Sequence, residues 1–337
     1  MKILIIKLGA LGDVIRTIPV VRAIKNKYPD SEVHWVTKSS SKEILENLSF
    51  LHKIHLPTGQ ITDAFDILYN FDTDKEAIKL ASKIPAQKKY GFYDKEGYVG
   101  AFNLPAEYYL NTLFDDELKK ANKKTYQQMM FETAEFPYEK LPYSLVLTDA
   151  QKKYARDFVK KNNLNSQNLI GIHIGSSPRW PSKSWHESKI IEFIKKLKQN
   201  KYEPLIFSGP DDFEKLNHLE KELQNEKIQV IKQDPLCTIS EFASLVDLCS
   251  AVVCSDSLAL HISLAMKKPT IGLFFCTSPD EIESYGLLKK IVSPNLPEFF
   301  PEKMDEYNED LVKSITSDEV ITSLEEIFKS LSKAKFI

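Results

Sequence analysis

The sequence predicts an α/β protein with two Rossmann-like, doubly wound parallel-sheet domains in tandem. Three observations carry that expectation. Residues 1–38 read as strand, glycine-bearing turn, helix and strand. The same alternation restarts at Leu169 and runs to Phe275. The strand-like runs are continuously apolar, which marks strands buried on both faces, as in parallel sheets with helices on either side. A length of 337 residues suits about two such domains, since single cores stop growing near ~250–300 residues.

The opening strand is Ile3 to Ile6, and Leu8-Gly9-Ala10-Leu11-Gly12-Asp13 is its turn. Val14, Ile18, Val21 and Ile24 then recur at helical spacing, which predicts an amphipathic helix. It ends near Asn26-Lys27-Tyr28-Pro29, before a strand from Glu32 to Val36. Doubly wound folds bind ligands outside the carboxyl ends of their strands, and Asp13 stands at such an end. The turn lacks Gly-x-Gly-x-x-Gly, so a nicotinamide cofactor has no support.

A short helix over residues 40–48 and strands His52–Leu56 and Phe65–Phe71 follow. Asp72-Thr73-Asp74 precedes a helical run, Glu76 to Ile84. It is read as a helix cap, because its surroundings do not suit a metal–diphosphate motif. Lys88–Phe92 is a strand, and residues 93–118 form a long aromatic-rich loop, a length that often accompanies function. Lys119, Lys120, Lys123 and Lys124 open a helix reaching about Ala134. This cluster is either a solvated face or an attraction for an anion. Pro137, Pro142 and the polar residues 162–168 bracket a helix, Asp149 to Lys161. The domain boundary is therefore expected within 145–168, with domains over 1–160 and 161–316 and a last helix in 317–337.

The second half reads strand Leu169–Ile174, polar loop Gly175–Trp185, helix His186–Asn200, strand Glu203–Phe207, loop Ser208–Asp212 and helix Phe213–Gln224. Strand Ile228–Ile231, helix Ile239–Leu248, strand Ala251–Cys254, helix Leu258–Met266 and strand Thr270–Phe275 complete it. The final helix, about Ser317 to Ser332, is amphipathic through Val320, Ile321, Leu324, Ile327, Phe328 and Leu331.

Composition excludes several classes. With 42% hydrophobic and 27% charged residues, the chain is an ordinary globular one. A net charge of -2 gives no basic footprint for nucleic acid. No apolar run approaches the ~20 residues of a membrane span, and MKILIIK is too short for a signal-peptide core, so a cytoplasmic location is expected. Cys237, Cys249, Cys254 and Cys276 form neither a Cys-x-x-Cys pair nor a zinc spacing. They read as small apolar residues packed near strands. No carboxylate–histidine grouping points to a metal.

The run KLGALGDVIRTIPVVRAIK resembles the N-terminal signature of glycosyltransferase family 9, the family of the bacterial lipopolysaccharide heptosyltransferases. The likeness is tight over residues 1–38, good over 169–187 and partial over 251–279. It implies the GT-B architecture, two Rossmann-like domains facing a cleft, with the C-terminal helix crossing back to the first domain. It also implies an inverting, metal-independent transfer from a nucleotide-diphosphate sugar, ADP-heptose first, to a lipid-linked oligosaccharide of the lipopolysaccharide core. Such acceptors sit in the inner membrane, so peripheral contact with its cytoplasmic face is a further expectation.

Asp13 matches the family's catalytic base. A positioned carboxylate can take the proton of an attacking hydroxyl. Gly9 and Gly12 let the turn approach a ligand, and the aromatic loop with Lys123 and Lys124 is the acceptor candidate. Ser176, Ser177 and Lys183 match the donor-phosphate loop, where free helix N–H groups and a lysine suit a diphosphate, and Arg179 could add charge there. Asp211 stands where the family carries a ribose-binding acid. The family's Asp-Thr-Gly-x-x-His reads Asp256-Ser257-Leu258-Ala259-Leu260-His261 here, with Leu258 in place of glycine. The later Phe-Gly-Pro-Thr-Asp-Pro is altered to Phe275-Cys276-Thr277-Ser278-Pro279. Alternatives are a different nucleotide-sugar donor, or a sugar-nucleotide-binding protein without transferase activity. An epimerase or hydrolase of the same architecture does not fit the opening motif.

Overall fold

The computed structural model describes residues 1–165 and 168–334, with the backbone alone for 331–334. Two compact units divide the chain: Met1–Val146 with Asp280–Glu283, and Leu147–Pro279 with the segment from Ser284 onward.

The first unit runs β1 (Lys2–Ile6), α1 (Leu11–Lys27), β2 (Glu32–Val36), α2 (Ser39–Leu45), β3 (Lys53–His55), β4 (Phe65–Asn70), α3 (Lys75–Lys83), β5 (Ala86–Lys95), β6 (Tyr98–Ala101), α4 (Leu104–Phe114), α5 (Asp116–Ala121) and α6 (Tyr126–Thr133). Its six strands lie in the order β3-β2-β1-β4-β5-β6. All neighbours pair parallel except β5 and β6. Leu4, Ile6, Val36 and Leu68 pack with Ala77 and Ala81 of α3. Ile3 and Ile5 are also fully buried, so β1 is covered on both sides, as its continuous apolar run requires.

The second unit runs α7 (Asp149–Asn162), β7 (Leu169–His173), α8 (Glu187–Gln199), β8 (Glu203–Phe207), α9 (Phe213–Asn225), β9 (Ile231–Lys232), α10 (Ile239–Val246), β10 (Ala251–Ser255), α11 (Leu258–Ala265), β11 (Thr270–Phe274), β12 (Leu288–Val292), α12 (Leu296–Phe299), α13 (Glu309–Lys313) and α14 (Ser317–Ala334). The sheet order is β12-β11-β10-β7-β8-β9, parallel throughout. In both sheets the order reverses beside the first strand, between β1 and β4 and between β7 and β10. Such switch points leave a crevice at the carboxyl ends of the strands.

One buried carboxylate shapes the crevice of the first unit. Asp72 Oδ2 accepts from the backbone N–H groups of Leu8 (2.7 Å) and Gly9 (2.6 Å). Its Oδ1 accepts from Asp74 N at 3.0 Å. Asn70 orients the same loop, accepting from Asp72 N at 3.0 Å and donating to Phe92 O at 2.8 Å. The loops after β1 and β4 and strand β5 are thereby joined. A Cβ on Gly9 would stand 3.1 Å from Asp72 Oδ2, so that close approach favours glycine. Lys7 is buried 3.8 Å from the same carboxylate.

Several expectations are corrected. Residues 93–118 are not an irregular loop. They hold the end of β5, the hairpin strand β6, helix α4 and the first half of α5; Tyr93 stacks on Phe102 at 4.7 Å and Tyr109 packs on Phe92 and Tyr126, while Tyr98 and Phe114 are exposed. The helix expected over 119–134 is broken between α5 and α6, where Asn122 accepts from Lys124 N and Thr125 caps α6. Asp72 does not cap a helix; Asp74 holds the N-cap position of α3 and its side chain makes no cap bond. The first unit ends at Val146, at the start of the expected 145–168 span rather than at residue 160, because α7 packs on α10. The last helix, expected on the first domain, packs on α8 and the β11–β12 edge of the second. Val320 and Leu324 enter that core, and Phe328 stacks on Tyr202 at 6.0 Å. Residues 335–337, the end of the expected last segment, lie outside the described residues.

Asp72→Ala leaves two buried N–H groups without their acceptor and Lys7 without its nearest carboxylate. The expected cost is about 3–5 kcal/mol, the range for breaking a buried pair. It is read as a lower denaturant midpoint at unchanged slope.

Candidate active site

Asp13 is the third residue of α1, whose N-cap is Ala10. An acid in the first turn is favoured by the helix dipole. Its carboxylate pairs with Arg16 one turn on, Oδ1 to Nη2 2.8 Å. The Arg16 guanidinium lies 3.9 Å from the centre of the Tyr126 ring. Tyr126 Oη is 3.0 Å from Thr17 Oγ1, which donates to the Asp13 carbonyl at 2.7 Å. Helix α6 thus grips α1 around Asp13. The Asp13 side chain keeps 35% of its exposure while Arg16 keeps 12%, so one side of the carboxylate is fixed and the other faces outward.

Burial opposes the charge on Arg16, and Asp13 with Tyr126 more than reverses it, raising the pKa. Burial likewise opposes the Lys7 charge, and Tyr126, Asp72 and Asp13 raise its pKa on balance. At neutral pH the carboxylates do this, since tyrosine is uncharged there. Tyr109 and Tyr126 are pushed up by burial. Two cations and two carboxylates therefore meet at the end of β1. Lys123 and Lys124 do not form a bare cationic cluster. Lys123 pairs with Asp280 at 2.7 Å, and Lys124 pairs with Glu132 at 2.6 Å above the Tyr108 ring.

In the second unit the loop after β7 is pinned from the chain's later part. Trp185 Nε1 donates to Ile315 O (3.0 Å) and Ser182 Oγ to Glu306 O (2.8 Å), while Asn308 N donates to Ser182 Oγ (2.9 Å). On the β10 side of this loop Lys183 Nζ meets Asp256 Oδ2 at 3.1 Å, both side chains mostly buried. Ser257 is the N-cap residue of α11 and its Oγ stands 3.5 Å from His173 Nδ1. Leu258 takes the first helical position, and His261 is buried one turn further. Burial brings His173 down to about 4, with Asp212 opposing and Lys215 assisting, so its ring is neutral near pH 7.

On the β8 side lies a cavity of about 700 Å³, lined among others by Ser176, Ser177, Trp185, Asp211, Asp212 and Lys215. Asp211 is exposed at its rim. Asp212, which the sequence reading passed over, accepts from Gly209 N at 2.7 Å. A Cβ on Gly175 would stand 1.9 Å from Asp212 Oδ2, so any larger residue there must displace the Asp212 carboxylate. Lys215 donates to Trp185 O at 2.8 Å and to Ser184 Oγ. Burial brings it down to about 8 against Glu187 and Asp212. Arg179 lies over the Trp180 ring at 4.7 Å. Arg16, Tyr126, Asp72 and Lys215 were also missed; each acts through a partner far along the chain or a helical turn away, which no local motif marks.

The sequence pattern of glycosyltransferase family 9 (heptosyltransferase) matches residues 61–309. A lipopolysaccharide heptosyltransferase 1 of Campylobacter coli is 22% identical over 97% of this chain and 99% of its own length. Among solved structures, a family 9 glycosyltransferase of Veillonella parvula superposes with a TM-score of 0.74 at 16% identity, covering 98% of this chain and 97% of that one. An ADP-heptose lipopolysaccharide heptosyltransferase II of Escherichia coli gives 0.70 at 18% identity, covering 98% and 100%.

Lys215 should leave a signature in stability. Its folded pKa of about 8 lies below the ~10.4 of an unfolded lysine. Between these values the unfolded chain binds more protons, so this group makes stability rise with pH from about 8 to about 10.4. Lys215→Met should flatten that rise, and denaturant titrations at pH 7.5, 9 and 10 read it.

Proposed function

The chain belongs to glycosyltransferase family 9 and is a glycosyltransferase of two Rossmann-like units, and from that premise we propose that it transfers heptose from ADP-heptose to a lipopolysaccharide-core acceptor with inversion, using Asp13 as general base. The observation that carries the assignment of Asp13 is its setting: a partly exposed carboxylate beyond the end of β1, held on one side by Arg16. The family match begins at residue 61, so the support for Asp13 is this position and the opening motif. ADP-heptose rests on the named donor of the Escherichia coli relative.

In this reading the acceptor hydroxyl gives its proton to Asp13 as its oxygen attacks the anomeric carbon from the face opposite the diphosphate. A single displacement inverts the configuration. Lys183, paired with Asp256, shares the leaving-group charge with the N–H groups of its loop and of the α11 start. Lys183, Ser176, Ser177 and the α11 N-terminus at Ser257 and Leu258 hold the diphosphate, whose charge a helix N-terminus favours. Asp256, a poor neighbour for phosphate, accepts from sugar hydroxyls. Asp212, with Asp211 at the rim, receives the ribose hydroxyls, the role an acid plays at the end of the second strand in dinucleotide folds. His261 supports the α11 loop from within the helix. Gly9 and Gly12 open the turn to the acceptor, and Lys123 and Lys124 exchange their carboxylate partners for its anionic groups.

Among the described residues no helix is long and apolar enough to cross a membrane. A lipid-linked acceptor then requires contact at the membrane surface. Tyr98, Leu104 and Phe114 are 79%, 79% and 75% exposed on β6 and α4, which pack together beside α5 with its Lys119 and Lys120. Apolar side chains edged by lysine suit an anionic interface. In flotation with anionic vesicles the protein should rise with the lipid, and a Leu104→Ser/Phe114→Ser variant should stay below; equal flotation of both removes this surface from the reading.

Asp13→Ala should cut turnover by about 10²–10⁴, the span for a general base, with ADP affinity unchanged. Lys183→Ala should weaken ADP binding, read as a smaller thermal shift at fixed ligand. Wild-type turnover in the first variant, or unchanged ADP affinity in the second, removes the assigned role.

A further inference from the structure

Away from the residues used above, His34 of β2, His55 of β3 and Asp63 of the loop before β4 stand together in the first unit. Their nearest ligand atoms all lie within 4.8 Å of one another. His34 Nδ1 is 3.1 Å from His55 Nε2, and both imidazoles are buried. The ring of His34 meets Phe65 edge-on at 5.4 Å. We propose that these three side chains bind one borderline divalent transition-metal ion, zinc first, through His34 Nδ1, His55 Nε2 and an Asp63 carboxylate oxygen, with solvent in the remaining position.

The geometry requires little adjustment. Two nitrogen ligands ~2.0–2.1 Å from a tetrahedral zinc stand roughly 3.3 Å apart, close to the separation the histidines already have. Two imidazoles and one carboxylate suit zinc or its neighbours rather than magnesium or calcium, which take oxygen ligands. The strands supply rigidity: His34 pairs with Leu4 in register and His55 with Val36. Asp63, 27% exposed against 6% for His34, is the side open to an incoming ion. Glu32 Oε2 stands 3.9 Å from the other nitrogen of His34, the place of an outer carboxylate that orients a ligating histidine. Lys2 Nζ pairs with Asp63 Oδ1 at 2.6 Å, but it is 41% exposed. It can return to solvent, and a carboxylate has a second oxygen to offer. The site shares no residue with the Asp13 cluster, so its effect falls on the β2–β3 edge rather than on glycosyl transfer.

Calorimetric titration of untagged, chelator-stripped protein with Zn²⁺ tests this, beside Asp63→Asn and His55→Gln. The expected result is one ion per chain and loss of that isotherm in His55→Gln. In Asp63→Asn the affinity should fall at least about tenfold, the lower bound for losing even an outer partner. Zn²⁺ should also raise Tm in the wild type, less in Asp63→Asn, and not in His55→Gln. Absence of one-site binding in the wild type, or an isotherm unchanged in Asp63→Asn, overturns the proposal and leaves the two histidines as a hydrogen-bonded pair. Asp63 lies at the surface, so its variant decides the matter if His55→Gln does not fold.

Discussion

A parallel sheet covered on both faces leaves backbone groups unpaired where its strands end, and every buried N–H there needs an acceptor. Both units meet this constraint with a carboxylate placed against a glycine. In the first, Asp72 from the β4 loop binds the N–H groups of Leu8 and Gly9. In the second, Asp212 from the β8 loop binds Gly209 N and fills the space beside Gly175. Both turns are therefore shaped by acids outside the opening signature. Their negative charge also explains why a buried lysine stands beside each: Lys7 near Asp72 and Lys215 near Asp212.

The two lysines resolve the same tension differently. Lys7 has Asp72 close and Asp13 beyond it, so attraction exceeds the cost of burial and the charge is retained. Lys215 makes its direct bonds to a carbonyl and a hydroxyl, which accept equally from a neutral amine, so burial dominates and the pKa falls. Arg16 follows Lys7. A guanidinium does not deprotonate in proteins, and stacking on Tyr126 while bonding Asp13 makes it a fixed support for that carboxylate. The Tyr126 ring, 109 residues from Thr17 in sequence, thus bears on the geometry of a first-turn acid.

The fold was legible because its signal is local. Strand Glu203–Phe207 is matched residue for residue, and helices such as Asp149–Asn162 and Phe213–Asn225 depart from expectation by single residues. Where the reading failed, the deciding contacts were distant. The hairpin and α4 within 93–118 lack clean periodicity because their aromatic residues pack on one another and on α6. The last helix carried the correct apolar stripe, but a stripe does not say which surface it covers, and the α8 face with Tyr202 supplied the match. At the site, Asp13, Lys183 and Asp256 were visible as motif residues. Arg16 was within the motif and unremarked, and Asp212 lost to its neighbour Asp211 because adjacent acids in a loop are indistinguishable until the chain is folded against Gly175.

The pairing of Lys183 with Asp256 constrains how a donor can be held. At 3.1 Å and with both side chains about 15% exposed, the two charges largely cancel, so the loop does not present an unopposed cation to a diphosphate. Attraction must then come also from fixed dipoles: the N–H groups at the start of α11 and those of the loop after β7. Dipoles act at short range, which makes the approach distance decisive. Leu258 at the first position of α11 adds a side chain where glycine would leave backbone bare. Under the proposed function the diphosphate is accordingly held more by the Ser176–Lys183 loop than by α11. That loop is itself anchored by Ser182 and Trp185 to the segment between Glu306 and Ile315, so its stiffness is set by a part of the chain that carries no catalytic signature.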